Sequence, residues 1–558
     1  MKRDRRRFLC AVGALSVGSL AGCSENGDQP TPTPESTTDS VETYSGPATT
    51  PPLDEIPENG TGENFELVAH NPLLDEHQYV GDESFGIPRG SNGEITIAGD
   101  CLYVGSFTGN QPPLVVDISD PTDPQVIGPV PDAVPGVANG IEGIQASGDV
   151  LAIDHRSPHG ETFAETPDGL PTRGMSVWDI STRREPELVG RYDHGDLDVH
   201  ALRLWRDPED PDRLLAVQSF IDTPNIRVID LTGCPEACEP TVVAEWSLES
   251  QTGIGSTTHE AIMSTDGTRI YVAQPMVGFL QLDSSNLVQS LRGDGDCDPA
   301  SPEELPGNDH CLTVHNPEVE SALEAQAPIH DGWHHTLQKV PDRPYVLALA
   351  ESSGTSDVDR TDPADYASCP GGRIRVFSVA DGSLDAEPVG SYSLPEQRSG
   401  NCGSDGWDPD EVAWPGWLSP HFSIAFPDLV IATYYSGGIR AIDISDPAEP
   451  TEVGHFFNKP VSEVRWATYG PKGESDSGED SGEPNQRRDS DLYMFAFSYP
   501  VVHDGYVFYG DVHSGIYVLK YTGPHADQIP DEGTCMAANP GGVEPGYEPC
   551  PPYDGASD

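Results

Sequence analysis

The chain has 558 residues, and 92 acidic against 30 basic side chains give it a formal net charge of −62. This charge excludes a phosphate backbone as a ligand, because too few cations are present to neutralise the phosphates, and we expect no nucleic-acid partner. Hydrophobic residues make up 36% of the chain, enough for a folded core, and only five of the basic residues are Lys. A folded, acidic and Lys-poor protein is typical of an extreme halophile, where salt screens the self-repulsion.

The first residues predict an export signal. Arg5-Arg6-Arg7 precedes an apolar segment, residues 10–21, that is too short to span a membrane and is typical of a twin-arginine signal. Leu20-Ala21-Gly22-Cys23 is similar to a lipobox, so we expect residues 1–22 to be removed and Cys23 to be lipidated. A plain signal peptide is the alternative. The lipid would anchor the protein at the outer face of the cell membrane without spanning it.

The segment after the signal, residues 23–62, is rich in Pro, Thr, Ser and acidic residues and predicts a disordered tether. The chain contains eleven Cys. Because an exported protein is in a compartment that permits disulfides, neighbouring Cys are candidate pairs, whereas Cys101 in an apolar strand is expected to be free. The candidate pairs are Cys234/Cys238, Cys297/Cys311, Cys369/Cys402 and Cys535/Cys550.

Residues 421–454 predict a unit of four short antiparallel strands. An alternating segment, 421–426, is followed after Pro427-Asp428 by the apolar run 429–433. The third strand covers 439–444, and a short fourth strand ends at Gly454. Alternation with period two between Gly, Pro and Asp is the pattern of a β-meander.

The same unit recurs seven times, and its third strand is the easiest part to recognise. These third strands resemble the LVIVD repeat, which is found in β-propeller proteins of bacterial and archaeal surfaces. The resemblance covers residues 65–521. Together with the export signal, the lipobox-like sequence and the acidic composition, it suggests an LVIVD-repeat β-propeller lipoprotein of haloarchaeal type. The third strands begin at Leu114, Met175, Ile226, Phe279, Ile374, Ile439 and Ile516.

An Asp ends five of these strands and admits a catalytic or a structural interpretation. We favour the structural one, because an Asp before a turn binds the turn's amides through its own side chain. The five are Asp117, Asp179, Asp230, Asp283 and Asp443.

The predicted fold is an all-β, seven-bladed β-propeller with four antiparallel strands per blade. The seventh unit lacks a fourth strand, and we expect the lone strand 65–70 to supply it and close the ring. The propeller would occupy residues 63–523, followed by a Cys-containing tail, 524–558. Long loops interrupt the repeat and would lie on one face, where an unknown protein or small molecule is the expected partner.

Aligning the units on the turn between strands one and two places polar residues at one register in five consecutive units. Innermost strands line the channel of a propeller, so these side chains would converge near the loop-rich mouth. Imidazoles in a sheltered, acidic funnel suit Fe, Cu or Zn. The residues are Glu142, His200, His259, His335 and His421.

Further polar groups are expected at the same mouth. Glu260 and His334 adjoin two of the register histidines and are predicted to orient imidazoles. The others end second strands, and they are His155, Glu351, Asp511 and His513.

Two functions remain open from the sequence. The first is a surface binding or interaction module with a metal or polar-ligand site in its channel. The second is a metal-dependent oxidoreductase, in which the four register histidines hold Fe, Cu or Zn and Glu142 acts as a ligand or base. A structural interpretation of the histidines, as liners of a wet channel inherited with the repeat, stands beside both.

Overall fold

We describe the protein from a computed structural model. The residues it describes are 46–79, 84–109, 111–156, 170, 172–220, 223, 225–249, 257–275, 277–297, 311–314, 333–351, 372–380, 382, 384–385, 387–395, 418–465 and 488–536. The predicted signal, Cys23, Cys369, Cys402 and Cys550 lie outside them. Among the described residues no helix is long and apolar enough to cross a membrane.

Two strands precede the repeats, and the first three repeats are complete four-stranded meanders. The preceding strands are β1 (Thr61–Glu63) and β2 (Phe65–Asn71). The first unit consists of β3 (Asn92–Ala98), β4 (Cys101–Ser106), β5 (Leu114–Asp117) and β6 (Gln125–Pro129). The second consists of β7 (Ala138–Ser147), β8 (Val150–Arg156), β9 (Gly174–Asp179) and β10 (Glu187–Asp193). The third consists of β11 (Val199–Arg206), β12 (Leu214–Phe220), β13 (Asn225–Asp230) and β14 (Thr241–Ser247).

The next three units repeat the pattern with more variable outer strands. The fourth contains β15 (Glu260–Met263), β16 (Arg269–Gln274), β17 (Gly278–Asp283) and, after the helix α1 (Ser285–Leu291), β18 (Thr313–Val314). The fifth contains β19 (Trp333–Lys339), β20 (Tyr345–Glu351), β21 (Ile374–Ser378) and β22 (Gly390–Tyr392). The sixth contains β23 (Ser423–Ala425), β24 (Leu429–Thr433), β25 (Ile439–Asp443) and β26 (Thr451–Phe457).

The last unit is assembled from both ends of the described chain. After a hairpin of β27 (Val461–Val464) and β28 (Arg488–Tyr493) come β29 (Val501–His503), β30 (Tyr506–Asp511), β31 (Gly515–Tyr521) and β32 (Thr534–Met536). The sheet order is β2-β31-β30-β29-β32, so β2 lies outermost and β32 pairs with β29. The described residues also form two 3-10 helices, Leu53–Glu55 and Ala526–Gln528.

The first strands of the units lie side by side. β3 contacts β7, β7 contacts β11, and the series continues through β15, β19 and β23, while β3 also contacts β29. Apolar residues fill the space between neighbouring sheets: Val217 of the third unit packs in one cluster with Ile270 of the fourth, and Ile95 of the first with Phe508 of the last. Consecutive meanders that pack around adjacent inner strands have the arrangement of a β-propeller.

The turn-capping interpretation of the repeated Asp is confirmed. In each case one carboxylate oxygen accepts a hydrogen bond from the backbone N–H two residues later, over 2.7–3.0 Å. All five residues therefore hold the turn after the third strand.

The ordered domain begins earlier than the predicted boundary at residue 63. Ile56 is buried beside Phe457, and β1 adds a strand to the sixth unit by pairing with β26. That extra partner also explains why β26 continues to Phe457, three residues beyond the predicted end at Gly454. Residues 46–62, assigned to the tether from composition, are thus part of the folded unit.

A buried ion pair holds the backbone of this N-terminal segment. Arg440 and Glu452 are both fully buried and bonded to each other. Arg440 Nη1 donates to the Ala48 carbonyl oxygen over 2.8 Å, while the Ala48 N–H donates to Glu452 Oε1 over 3.2 Å. The pair therefore satisfies both backbone groups of Ala48, which lie against the sixth unit.

The described Cys follow the predicted pattern. Cys234 bonds to Cys238 and Cys297 to Cys311, with Cα–Cα distances of 4.2 and 5.3 Å. Cys535 is also disulfide-bonded, and Cys101 is a buried free thiol.

We expect β2 to stabilise the last sheet chiefly through Phe65. Its ring is buried and lies 4.8 Å from that of Tyr521. Phe65→Ala should lower the free energy of unfolding by about 3 kcal/mol, because it removes a large buried side chain. Glu66→Ala, at the neighbouring exposed position, is the control and should change it by less than about 0.5 kcal/mol. Equal effects of the two variants in denaturant titrations would contradict this role.

Candidate functional site

The structure brings the five register residues together, and the four histidines lie at or just before the start of their inner strands. The imidazoles follow one another around the channel, with ring-centroid distances of 4.1 Å from His200 to His259, 3.8 Å from His259 to His335 and 4.2 Å from His335 to His421. Glu142 reaches into the same space, and its Oε2 lies 3.4 Å from His200 Nε2. The predicted convergence of these five side chains is therefore present.

Two of the four histidines sit at a bulge of the inner strand, and the other two sit just before it. His200 and His335 are extra residues, because the pairing shifts between Val199 and Ala201 and again between His334 and Thr336. The His259 N–H bonds to Ala273, which also pairs with the next residue. Likewise the His421 N–H donates to the Thr433 carbonyl oxygen, and the Thr433 N–H donates to the carbonyl oxygen of the next residue, Phe422. A bulge bends the strand and re-aims a side chain, and here it turns imidazoles inward.

Glu142 sits in the largest of these irregularities. Between Asn139 and Ile144 of β7, four residues stand opposite the single Asp154 of β8. The detour needs glycine: Gly140 has φ of +74°, and a Cβ on Gly143 would lie 2.4 Å from Asp154 Oδ2. The segment therefore carries Glu142 forward to the histidines.

Hydrogen bonds fix the tautomer of two imidazoles. His421 Nδ1 lies 2.6 Å from the Phe497 carbonyl oxygen, so Nδ1 carries the proton and Nε2 keeps its lone pair. His200 Nδ1 lies 2.5 Å from Arg156 Nη1 and must accept, because a guanidinium only donates. His200 Nε2 then holds the proton and donates it to His259 Nε2 over 2.8 Å.

Burial sets the charge of the cluster. Burial lowers the pKa of His421, the hydrogen bond to the Phe497 carbonyl raises it and the nearby Arg203 guanidinium lowers it, and the net result is a pKa of about 3. Burial likewise holds the pKa values of His259 and His335 well below the usual range. These three imidazoles are therefore neutral at ordinary pH, the state in which their nitrogens bind metals. Burial raises the pKa of Glu142 well above its usual range.

His335 is the least satisfied side chain of the cluster. It is fully buried, and neither ring nitrogen has a hydrogen-bond partner among the described residues. A buried polar group without a partner costs about 1–3 kcal/mol. The ring therefore favours a ligand that binds its lone-pair nitrogen, such as a metal ion, or that accepts a hydrogen bond from its N–H.

Glu351, at the end of β20, joins this site as predicted for the channel mouth. Its carboxylate forms a group with His259 and His335 whose ligand atoms all lie within 4.8 Å of one another. It accepts a hydrogen bond from the Tyr435 hydroxyl. Burial raises its pKa to about 7, against the lowering effect of that bond.

A buried arginine lies beneath the histidines and was missed from the sequence. Arg203 Nε donates to Glu260 Oε1 over 2.5 Å, and its Nη1 donates to the Glu142 carbonyl oxygen over 2.6 Å. Its guanidinium lies over the Tyr499 ring at 4.7 Å. In a regular strand residues three apart face opposite sides, so only the bulge at His200 lets both side chains face the channel.

Several secondary predictions are corrected. Glu260 does not orient an imidazole but binds Arg203 and the Tyr499 hydroxyl, the latter over 2.8 Å. Asp511 is a structural acceptor, taking bonds from the N–H groups of Phe495, His513 and Ser514.

The remaining three predicted histidines lie in other surroundings. His334 packs edge-on against Phe279 at 4.3 Å, and His513 lies edge-on to Phe495 at 6.0 Å. His155 lies against Gly174, where an added Cβ would be 3.0 Å from its Nε2. The pairing of β19 shifts directly after His334, so His334 packs against Phe279 while the extra residue His335 enters the site.

Comparison with known proteins identifies the repeat. The sequence matches the family model of the LVIVD repeat at residues 89–132 and 435–457, which lie in the first and sixth units. No curated protein matches it.

Crystal structures with a similar fold are of low sequence identity. Sqt1 from Chaetomium thermophilum is 11% identical with a TM-score of 0.43, covering 82% of this chain and 99% of its own. The β-propeller domain of Cps50 (Swd1) from Myceliophteria thermophila is 11% identical with a TM-score of 0.41, covering 78% and 97%. A complex of Sqt1 with the N-terminus of ribosomal protein L10 is 12% identical with a TM-score of 0.39, covering 76% and 86%.

The unsatisfied imidazole yields a prediction about stability. His335→Leu should raise the free energy of unfolding of the metal-free protein by about 1–3 kcal/mol, because it removes two buried nitrogens that lack partners. The measurement is denaturant unfolding in the presence of a chelator.

His421→Leu is the matched control for this measurement. It deletes a hydrogen bond and leaves the Phe497 carbonyl without that donor, so it should destabilise the protein by about 1 kcal/mol. A His335→Leu variant as unstable as His421→Leu would contradict the interpretation.

Proposed function

We propose that the protein binds a transition-metal ion in the channel of a β-propeller. One observation carries the proposal: five side chains with metal-binding atoms, each from a different one of five consecutive units, converge where they are shielded from water. Three of the imidazoles are held neutral by burial. Such a set is costly without an ion, since its nitrogens and carboxylate are desolvated and only partly paired.

The donor set fits Fe, Cu or Zn. Imidazole is a preferred ligand of all three, whereas the hard cations Mg²⁺ and Ca²⁺ prefer sites built from oxygen atoms. His421 is supported as a ligand by its Nδ1–H bond to the Phe497 carbonyl, the usual arrangement behind a metal-bound imidazole. His335 is supported by its two unpaired nitrogens.

A metal-dependent oxidoreductase is the activity that this site supports best. When bound, Fe or Cu would supply one-electron chemistry. The chain's own residues would provide proton handling: Glu351 has a pKa of about 7 and already accepts a hydrogen bond from Tyr435. Glu142, predicted as a ligand or base, faces the imidazoles with both carboxylate oxygens. The arginine and aromatic layer around Arg203 excludes water below the site.

The surface binding module is retained as part of the proposal. Its partner, a protein or small molecule, would meet the loop-rich face. The anchor at Cys23 and the twin-arginine segment support an extracytoplasmic location at the outer face of the membrane.

We infer further that the repeats number seven and close into a ring. The contacts of β3 with both β7 and β29, and the pairing of β2 with β31, support this closure.

Metal content tests the central proposal. Protein purified without chelator should contain Fe, Cu or Zn, and a His259→Ala/His421→Ala double variant should lose it, because each substitution removes a buried ligand. His503→Ala is the control, since this buried histidine lies elsewhere and pairs with Thr534. Folded wild-type protein that neither contains nor takes up these metals would refute the proposal.

Fractionation of cells tests the anchor. Cys23→Ala should move the protein from the membrane fraction to the soluble extracytoplasmic fraction, because the thiol that carries the lipid is lost. Arg5→Lys/Arg6→Lys should instead retain the precursor inside the cell. Membrane association of the Cys23→Ala protein after export would contradict lipidation at this residue.

A further inference from the structure

The two carboxylate oxygens of Glu142 face different histidines. Oε2 lies 3.4 Å from His200 Nε2 and 3.9 Å from His259 Nδ1. Oε1 lies 4.0 Å from His421 Nε2. The carboxylate therefore stands between two parts of the cluster and offers one oxygen to each.

The ligand atoms divide into two groups that share only this residue. One group is Glu142 with His335 and His421, and the other is Glu142 with His200 and His259. Within each group all ligand atoms lie within 4.8 Å of one another, whereas the five residues together do not form such a group. Bonds to a single ion of about 2.0–2.2 Å place opposite ligand atoms about 4.4 Å apart at most. One ion therefore fits either group better than it fits the whole set.

We propose that the channel holds two metal ions bridged by the carboxylate of Glu142. Oε1, His335 and His421 bind one ion; Oε2, His200 and His259 bind the other. Two ions about 3.5–4 Å apart are the usual spacing of two-metal centres in proteins. This inference rests on the proposed metal function and specifies how many ions the site takes and which residue joins them.

Glu351 supports the same arrangement. Its carboxylate is grouped with His259 and His335, one histidine from each proposed ion site. It therefore lies where the two sites meet, on the side of the cluster reached by the Tyr435 hydroxyl. Two buried carboxylates and four imidazoles form a larger donor set than one tetrahedral ion requires.

The two sites differ in how ready they are for an ion. In the first, the His421 Nδ1–H bond to a carbonyl leaves Nε2 free, and His335 has no competing partner among the described residues. In the second, His200 Nε2 and His259 Nε2 share a hydrogen bond, which an ion must replace. Binding there also requires Arg156 to release His200 Nδ1 or that ring to lose its proton. The first site should consequently fill first.

Stoichiometric titration of the whole exported chain with Cu(II) tests the inference. Wild-type protein should take up two equivalents per chain, and the second should weaken the isolated Cu(II) EPR signal through coupling. Glu142→Gln, which offers only one good ligand oxygen, should retain about one equivalent with an uncoupled spectrum. His200→Ala should also retain one, and His503→Ala should retain two.

The outcomes separate this inference from the proposed function. One equivalent in the wild-type protein overturns the bridged pair but leaves a metal site, whereas none overturns both. Two coupled equivalents in Glu142→Gln would overturn the bridging role of the carboxylate. Circular dichroism and the Tm of each variant identify proteins that failed to fold, and for those Zn(II) uptake by His200→Gln replaces the alanine variant.

Discussion

The interruption of β-pairing at the start of the inner strands is the constraint on which the site depends. A regular strand alternates its side chains, so half of them would point between the sheets. The extra residue at His200 and at His335, and the longer irregularity around Glu142, turn these side chains toward one another. The regular strands of the repeat form the sheets, and the irregular residues in the inner strands form the polar cluster.

The centre is a concentration of polar groups in a place where water would normally satisfy them. Desolvation lowers the pKa values of His259, His335 and His421, which keeps these imidazoles neutral, and it raises the pKa values of Glu142 and Glu351. Next to them, Arg203 pairs with Glu260 and its guanidinium lies over the Tyr499 ring. The contrast between this ion pair and His335, whose ring nitrogens have no partner among the described residues, is the pattern expected of the proposed metal site, in which stability is given up for binding.

The sequence predicted the units and the register but not the local departures from them. Third strands and their Asp caps depend on short-range patterns, which is why the repeated Asp residues were interpreted correctly. Counting from a turn also located the four histidines. A bulge has no such sequence pattern, so the position of Arg203 beside the histidines was not predictable from alternation. The glycines around Glu142 were the local sequence signal for the irregularity of β7. The structure of residues 46–62 was also not predictable from composition, because these residues are held by individual contacts, such as that of Ile56 with Phe457.

The adjacent strands β1 and β2 have a mechanical consequence. They are separated by Asn64 alone, yet β1 extends the sheet of the sixth unit and β2 completes that of the last. A pulling force on the chain ahead of residue 46 must first break the hydrogen bonds of Arg440 and Glu452 to the Ala48 backbone. It must then separate β1 from the sheet of the sixth unit and β2 from the sheet of the last unit. The start of the described chain is thus held by several contacts that must break one after another before the domain unfolds.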